Sequence, residues 1–496
     1  MFYTSRSAIE KYQQCPRARY WEYLYAGTGM QGAGAAWDLW IGSAVHEAMG
    51  YFNNVLMDPP PNFDLTKMRE YAAGIGVAWL NTKVAPLELD PEDPIYAECR
   101  ALVEALVLAY GIKVLPVFME RYKVLGVERE INYPLAGGGL ILQSKADAIC
   151  LDTQKEEISV ISYKTAKEYD ERTEKGASHD NQGISEAIAT EWQLHLDNEE
   201  LKMLIGGLCS LGSSKLPAVQ NIVADAIDIA VSKQYPSERV FSVHMIYLLK
   251  GRKEKHPDGY WIHSSPLIRG WRKWNAELSE FEYAWSYDFP NENNKSGKGR
   301  LGKGWERFEV WNDYPGGIPA WIEALEANRY QPECGCALVS CFKEVEFFRN
   351  EKEAASWLRQ TTAQEKEIAN AMFNTPDYGM TSAKGITEEE WLDINFPQYR
   401  RSCHYPLDCQ FTKVCFDSEV AENPLAAADE YGNPLYQIRI PHHEAEYNQL
   451  KSLLEAPASS SIETTRESST WGEGEALESS NIRELPKDEE GILEDQ

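Results

Sequence analysis

Apolar positions change their period twice along this chain. From Ser5 to Tyr25, Ile9, Tyr12, Tyr20, Tyr23 and Leu24 recur at helical spacing, which predicts a helix pair or one helix broken at Pro16. Gly42 to Phe52 and Glu98 to Val117 also read as helices, the second burying Leu102, Leu106 and Leu108 to Tyr110. The period then falls to two. Tyr122 to Tyr133, Leu140 to Leu151 and Ile158 to Tyr163 are short runs rich in β-branched and aromatic residues. Gly137-Gly138-Gly139 and the polar turn Asp152 to Glu157 separate them, so a three-strand meander is expected. A polar linker, Glu168 to Gly183, leads into a helix over Ile184 to Leu208 capped by Gly206 or Gly207. Arg239 to Leu249 alternates like a further strand and Lys250 to Lys255 is a basic turn. Helix, meander, helix and strand make an α/β core.

Beyond it, Asp258 to Tyr330 is rich in Trp (Trp261, Trp271, Trp274, Trp285, Trp305, Trp311, Trp321) and contains a Gly/Lys loop, Asn294 to Gly304. Glu351 to Met372 is an amphipathic helix, and Phe396 to Phe416 bears cysteines. The expected division is a helical region over 1–120, a core over 121–255, a Trp-rich elaboration with helices over 256–395, a Cys segment over 396–417 and an acidic, Ser-rich, mostly disordered tail over 418–496. There is no internal repeat.

Composition then excludes several classes. In 496 residues, 43% are hydrophobic and 11% aromatic, which rules out global disorder and a fibrous chain. With 49 Lys and Arg against 77 Asp and Glu, the net charge of −28 excludes a generally adhesive nucleic-acid binder and leaves room for one local basic groove. The first twenty residues lack the apolar run of a secretion signal, and Glu104 and Lys113 interrupt the most apolar stretch. No membrane span is expected, and the expected location is the cytoplasm. The ten cysteines then read as thiols or metal ligands.

Candidate chemistry starts at Asp147, flanked by apolar residues on a strand, where a carboxylate needs a partner or a metal. The next strand carries Lys164. An Asp and a Lys converging from a hairpin suit metal-assisted phosphodiester hydrolysis, although for these two residues taken alone a structural ion pair is the commoner explanation. His46, in Gly42-Ser43-Ala44-Val45-His46, and Gln193, on the helix after the Lys strand, are singly unremarkable.

Their order is distinctive. Cys15-Pro16-Arg17 with aromatics, Gly-x-x-x-His, a strand Asp, a strand Lys-Thr, a helical Gln and a C-terminal Cys cluster together resemble the RecB/AddB-type exonuclease clade of the PD-(D/E)XK nuclease superfamily, with its phage and CRISPR-associated relatives. The resemblance implies a restriction-endonuclease-like core, a central mixed sheet flanked by helices, binding Mg²⁺ or Mn²⁺. It makes His46 and Asp147 metal ligands, Lys164 and Gln193 catalytic, and Arg17, Arg19 and Tyr20 part of the opening DNA-binding helix. The sequence departs from the pattern at Ser162, where the family has Asp or Glu two residues before the Lys, and at Asp197, where it has Tyr. The backbone carbonyl of Tyr163, Glu128 or Glu191 are the candidates to replace the missing ligand.

Cys403, Cys409 and Cys415 are evenly spaced, and three thiolates need a fourth, for which Cys15 is the natural candidate. The resemblance implies the same set holding a [4Fe–4S] cluster; structural Zn²⁺ is the alternative. Cys334, Cys336 and Cys341 form a weaker trio without an assigned role. Basic residues such as Lys250, Arg252, Lys253, Lys255, Arg272 and Lys273, interleaved with Trp and Tyr, suit phosphate contact and base stacking, though a solvated surface explains each separately. The expected function is a metal-dependent DNA exonuclease acting on single strands or duplex ends in recombination, repair or phage DNA processing, with a recombination protein or helicase as partner. The alternative is a degenerate relative, disabled at Ser162, that binds DNA ends or a protein.

Overall fold

The computed structural model describes residues 2–448, apart from 88–89, 91–92, 137–138, 172, 175–180, 211–238, 257, 291–297, 349, 374–386, 404–407, 442 and 444–445. Most of the expected acidic tail and the start of the Gly/Lys loop therefore lie outside the described residues.

The chain opens with strand β1 (Phe2–Ser5), helix α1 (Arg6–Gln14), capped by the Ser5 hydroxyl, and helix α2 (Pro16–Arg19), so the expected break falls at Cys15-Pro16. Strand β2 (Met30–Gly32) leads to three long helices, α3 (Trp37–Met57), α4 (Leu65–Val84) and α5 (Pro94–Lys113), and a short one, α6 (Leu115–Arg121). Asp64 and Asp93 cap α4 and α5 through their side chains, and Pro94 starts α5 where its missing N–H costs nothing. Pro116 starts the helix that the sequence pattern joined to α5.

The meander forms as expected: β3 (Tyr122–Ala136), β4 (Leu140–Asp152) and β5 (Glu157–Ala166) are successively antiparallel. Helix α7 (Asn181–Ser210) then crosses to β6 (Val240–Leu249), which lies parallel to β5. Beyond β6 come the hairpin β7 (Lys253–Lys255) and β8 (Trp261–His263), the strands β9 (Arg269–Asn275) and β10 (Glu280–Ala284), the pair β11 (Asp288–Pro290) and β12 (Lys298–Arg300), and β13 (Glu306–Glu309). Helix α8 (Gly317–Glu326), strand β14 (Phe342–Phe348), helices α9 (Glu351–Phe373) and α10 (Glu388–Asn395) and strand β15 (Tyr436–Ile438) follow. The central mixed sheet runs β1-β4-β5-β6-β14, with β3 on the other edge of β4.

Both faces of this sheet are covered. Ala148, Cys150, Ile161, Tyr163, Ile246 and Leu248 pack against α3, α4 and α5, while Ile158, Val160 and Val243 pack against Ala187 and Leu194 of α7. The Trp-rich segment folds its own sheet, β10-β9-β13, around Trp321, and joins the same core as α5. A separate apolar cluster ties the chain start (Tyr20, Trp21, Met30) to Trp391, Phe396, Phe411 and Tyr436, and β15 pairs with β2. Tyr436–Ile438 is thus ordered within the segment expected to be a tail. Among the described residues no single helix is long and apolar enough to cross a membrane.

Candidate active site

Strand β3 occupies one whole edge of β4. The other edge is shared: β1 pairs with it up to Gln143, and β5 only from Ala148 onward. The sheet forks between these points, and Asp147 sits at the fork. Its Oδ2 accepts the peptide N–H of Tyr163 at 2.7 Å, a ladder donor that the diverging strands would leave open. Its Oδ1 lies 3.4 Å from His46 Nδ1. Helix α3 presents His46 because Ile41, Ala44, Val45 and Ala48 are buried, and because the glycines one turn to either side permit close approach. A Cβ on Gly42 would lie 3.1 Å from Thr165 Oγ1, and one on Gly50 3.0 Å from Glu128 Oε1.

Positions 162 and 164 of β5 point instead to the first turns of α7. Ser162, wholly buried, donates its hydroxyl to Glu186 Oε2. Glu186 Oε1 accepts from Gln182 Nε2 at 2.5 Å, and Gln182 Oε1 accepts from Lys164 Nζ. One hydrogen-bonded chain therefore runs Ser162, Glu186, Gln182, Lys164 beside Asp147. Burial and the charge of Asp147 push the Glu186 carboxyl up to about 7, against the pull of the Ser162 and Gln182 hydrogen bonds and of Lys164. Burial also pushes Asp147 up, but His46, the Tyr163 N–H and Lys164 together outweigh it and hold this carboxyl below its ordinary value. His46 is pushed down by burial and raised overall by Asp147.

Residues 3–196 match the family model of the PD-(D/E)XK nuclease superfamily. No curated protein matches the chain. The mixed sheet flanked by helices has the α/β architecture of such a nuclease core, and the matched span contains His46, Asp147, Ser162, Lys164, Gln182 and Glu186.

Several expected PD-(D/E)XK site residues stand elsewhere. Glu191 is not at the fork, since its Oε1 accepts the backbone N–H of Val240 at 2.9 Å. Gln193 donates to Asp197 at 2.9 Å, and Asp197 holds Arg129. Seven residues along α7 place Gln193 about 10 Å beyond Glu186, which puts Gln182 rather than Gln193 on Lys164. Glu128 lies opposite Asp147 in left-handed backbone (φ 44°) and forms a 2.7 Å ion pair with Lys145, so it is close to His46 but already partnered. The Tyr163 peptide is at the site through its N–H, and its side chain is buried on Asn53 and Tyr110.

Arg17, Arg19 and Tyr20 are 4%, 1% and 5% exposed and do not reach a surface where DNA could lie. Arg17 bonds the carbonyl of Phe396 (2.8 Å) and Asp393 (2.6 Å), Arg19 bonds Thr4 and Glu365, and Tyr20 packs on Trp21, Trp391 and Phe396. Their amphipathic spacing served the junction of the chain ends.

The missed residues are Gln182 and Glu186. Their i, i+4 spacing puts them on one helical face, but the helix starts at Asn181, so Gln182 fell in the segment read as linker and Glu186, inside the expected helix, lost the neighbour that marks that face.

Among the described residues no three His, Cys, Asp or Glu side chains are gathered into a ready ion site. The donor chemistry at the fork nevertheless suits Mg²⁺ or Mn²⁺: two carboxylates, one raising the proton affinity of the other, with an imidazole alongside. Cys15, Cys403, Cys409 and Cys415 are free thiols in one neighbourhood. Burial raises the Cys403, Cys409 and Cys415 thiols, and the charge of Cys15 raises them further. The Tyr399 N–H points at Cys15 Sγ at 3.5 Å, and the Cys409 N–H bonds the Cys403 carbonyl at 2.8 Å.

Proposed function

We propose that the chain is a metal-dependent deoxyribonuclease of the RecB/AddB type, in which Asp147 and Glu186 hold the ion with His46 at its margin. The observation that carries this reading is the Ser162–Glu186–Gln182–Lys164 chain, because it supplies a buried carboxylate at the position where the family's second acid is missing. A divalent ion bound there supplies Lewis-acid polarisation of the scissile phosphodiester and a water of lowered pKa. Lys164, oriented by Gln182, places its charge where the pentavalent phosphate becomes more negative. Asp147 holds His46 in orientation, and Ser162 keeps Glu186 aimed at the fork by donating to one of its oxygens. The substrate is linear DNA, single-stranded or with duplex ends, in recombination, repair or phage DNA processing, with a helicase or recombination protein as partner.

Cys15 and the Cys403, Cys409, Cys415 trio fit a [4Fe–4S] cluster or Zn²⁺: four sulfur donors drawn from both chain ends and set in the apolar shell of Tyr20, Trp21, Trp391 and Phe411. Anaerobically purified protein should be brown, and Cys409→Ser should bleach it; stoichiometric zinc without iron selects the other metal. For the nuclease, Mn²⁺-dependent degradation of end-labelled linear DNA should disappear in Asp147→Ala and in Lys164→Ala. Wild type that binds DNA without cleaving it under any divalent ion overturns the enzyme reading and leaves a DNA-binding protein.

A further inference from the structure

The end of β5 beyond Lys164 opens into a cavity of about 710 Å³. Thr165 forms one wall, against which Gly42 of α3 packs one turn from His46. The cavity carries four permanent cations, Lys167, Lys250, Arg252 and Lys253, against two carboxylates, Asp38 and Glu168. An excess of positive charge is notable in a chain of net charge −28, and a walled concavity concentrates it. Three of the four cations are held by carboxylates: Asp38 accepts from Lys250 and Lys253, each at 2.5 Å, and Glu168 pairs with Arg252.

The hairpin β7–β8 extends this wall outward. Lys253 pairs with His263 and Lys255 with Trp261, so these four share one face while Glu254 and Ile262 share the other. The second face is turned inward, since Ile262 is buried and Glu254 pairs with Arg307. On the first face, Lys253 and His263 line the cavity, whereas Trp261 is 60% exposed, an indole held on a strand beside a lysine. At the tip, His256 stacks on Tyr260 with ring centroids 4.4 Å apart. A two-residue step along a strand advances about 6.8 Å, so Lys255 and Trp261 carry the face outward by one such step from Lys253, while His263 stays buried on Glu98.

We propose that the cavity and this hairpin face form a binding track for single-stranded DNA, with the cavity cations on backbone phosphates and Trp261 stacked on an unpaired base. The identification of the polymer as DNA rests on the nuclease reading; the track itself rests on the charge and the exposed ring. Single strands rather than duplex are specified because only an unpaired base offers a face to Trp261.

The test measures anisotropy of a labelled oligothymidylate in EDTA, where no cleavage occurs, over a series of salt concentrations. Trp261→Ala, at an exposed position, should weaken binding roughly 5- to 100-fold without changing the salt slope. Lys255→Ala should weaken binding and reduce the slope by about 0.7. Trp274→Ala, exposed on a different strand, should leave binding unchanged. Unchanged affinity in Trp261→Ala overturns the track, as does an equal loss for duplex and single strand or equal competition by polyglutamate. Trp261-dependent binding without metal-dependent cleavage removes the nuclease reading and keeps the track; Asp147-dependent cleavage with no effect of Trp261→Ala does the reverse.

Discussion

Glu186→Gln separates two consequences of a buried acid. The side chain is 4% exposed, and its carboxyl stands at about 7 against an ordinary 4.5, chiefly through burial and then through Asp147. That gap corresponds to about 3 kcal/mol when the group is ionised. The folded value is the higher one, so between 4.5 and about 7 the folded chain keeps a proton that the unfolded chain has released. Stability therefore falls as pH rises through this window, and the penalty is complete above it. Glutamine preserves the shape and can exchange hydrogen bonds with Ser162 and Gln182. Without divalent ions at pH 8, the variant should be more stable than wild type by up to about 3 kcal/mol, and the difference should shrink to nothing near pH 4.5.

Activity should move the other way, falling about 10²- to 10³-fold as a ligand carboxylate is lost. Mn²⁺ at about 100 times its dissociation constant should stabilise wild type by about 2.7 kcal/mol and the variant far less. Urea unfolding at pH 5, 6.5 and 8 with and without Mn²⁺, alongside degradation of labelled DNA, measures all of these. A variant that is less stable than wild type at pH 8 without metal, or one that cleaves DNA at the wild-type rate, refutes the assignment.

Three further outcomes follow from the same geometry. Ser162→Asp alone should lower stability without raising activity, since it sets a second carboxylate against Glu186, while in a Glu186→Ala background it should restore part of the lost cleavage. Gln182→Ala should cost about 10- to 100-fold in kcat by releasing Lys164, whereas Gln193→Ala should be near neutral for cleavage; equal losses contradict the placement. Glu98, 3% exposed, accepts from His263 and Arg269 at 2.7 Å each, and these partners outweigh burial to hold it below its ordinary 4.5. Its contribution is present above 4.5 and lost as pH falls through the depressed folded value, so Glu98→Gln should cost about 3–5 kcal/mol at neutral pH in urea unfolding and should flatten the acid limb.

The parts of the fold legible in the sequence were those with local signals. Alternating β-branched residues and the turns between them located β3, β4, β5 and β6 to within a few residues of Tyr122–Ala136, Leu140–Asp152, Glu157–Ala166 and Val240–Leu249. The parallel docking of Phe2–Ser5 on β4 and the pairing of Phe342–Phe348 with β6 leave no local trace, because each depends on a partner more than ninety residues away. Charge was the poorest guide. Arg17 and Arg19 read as surface cations, yet each is buried on carboxylates and carbonyls contributed by 365–396, partners that only the folded chain brings near.

Ser162 is the residue whose meaning changes most with the third dimension. Read along the strand, it is a lost ligand, and the chain looks disabled. Set against α7, it is the donor that a buried Glu186 requires: a hydroxyl satisfies one carboxylate oxygen, whereas an Asp at the same place would face a second anion across a hydrogen-bond distance in a dry site. Serine at 162 and glutamate at 186 are thus one arrangement, and each is costly without the other. In the proposed nuclease the second acid therefore stands on the facing helix and not on the strand, and Gln182 on the same helical face links it to Lys164. A site assembled this way takes its second carboxylate from an element that the strand motif does not contain, so the motif alone undercounts the acids at the fork.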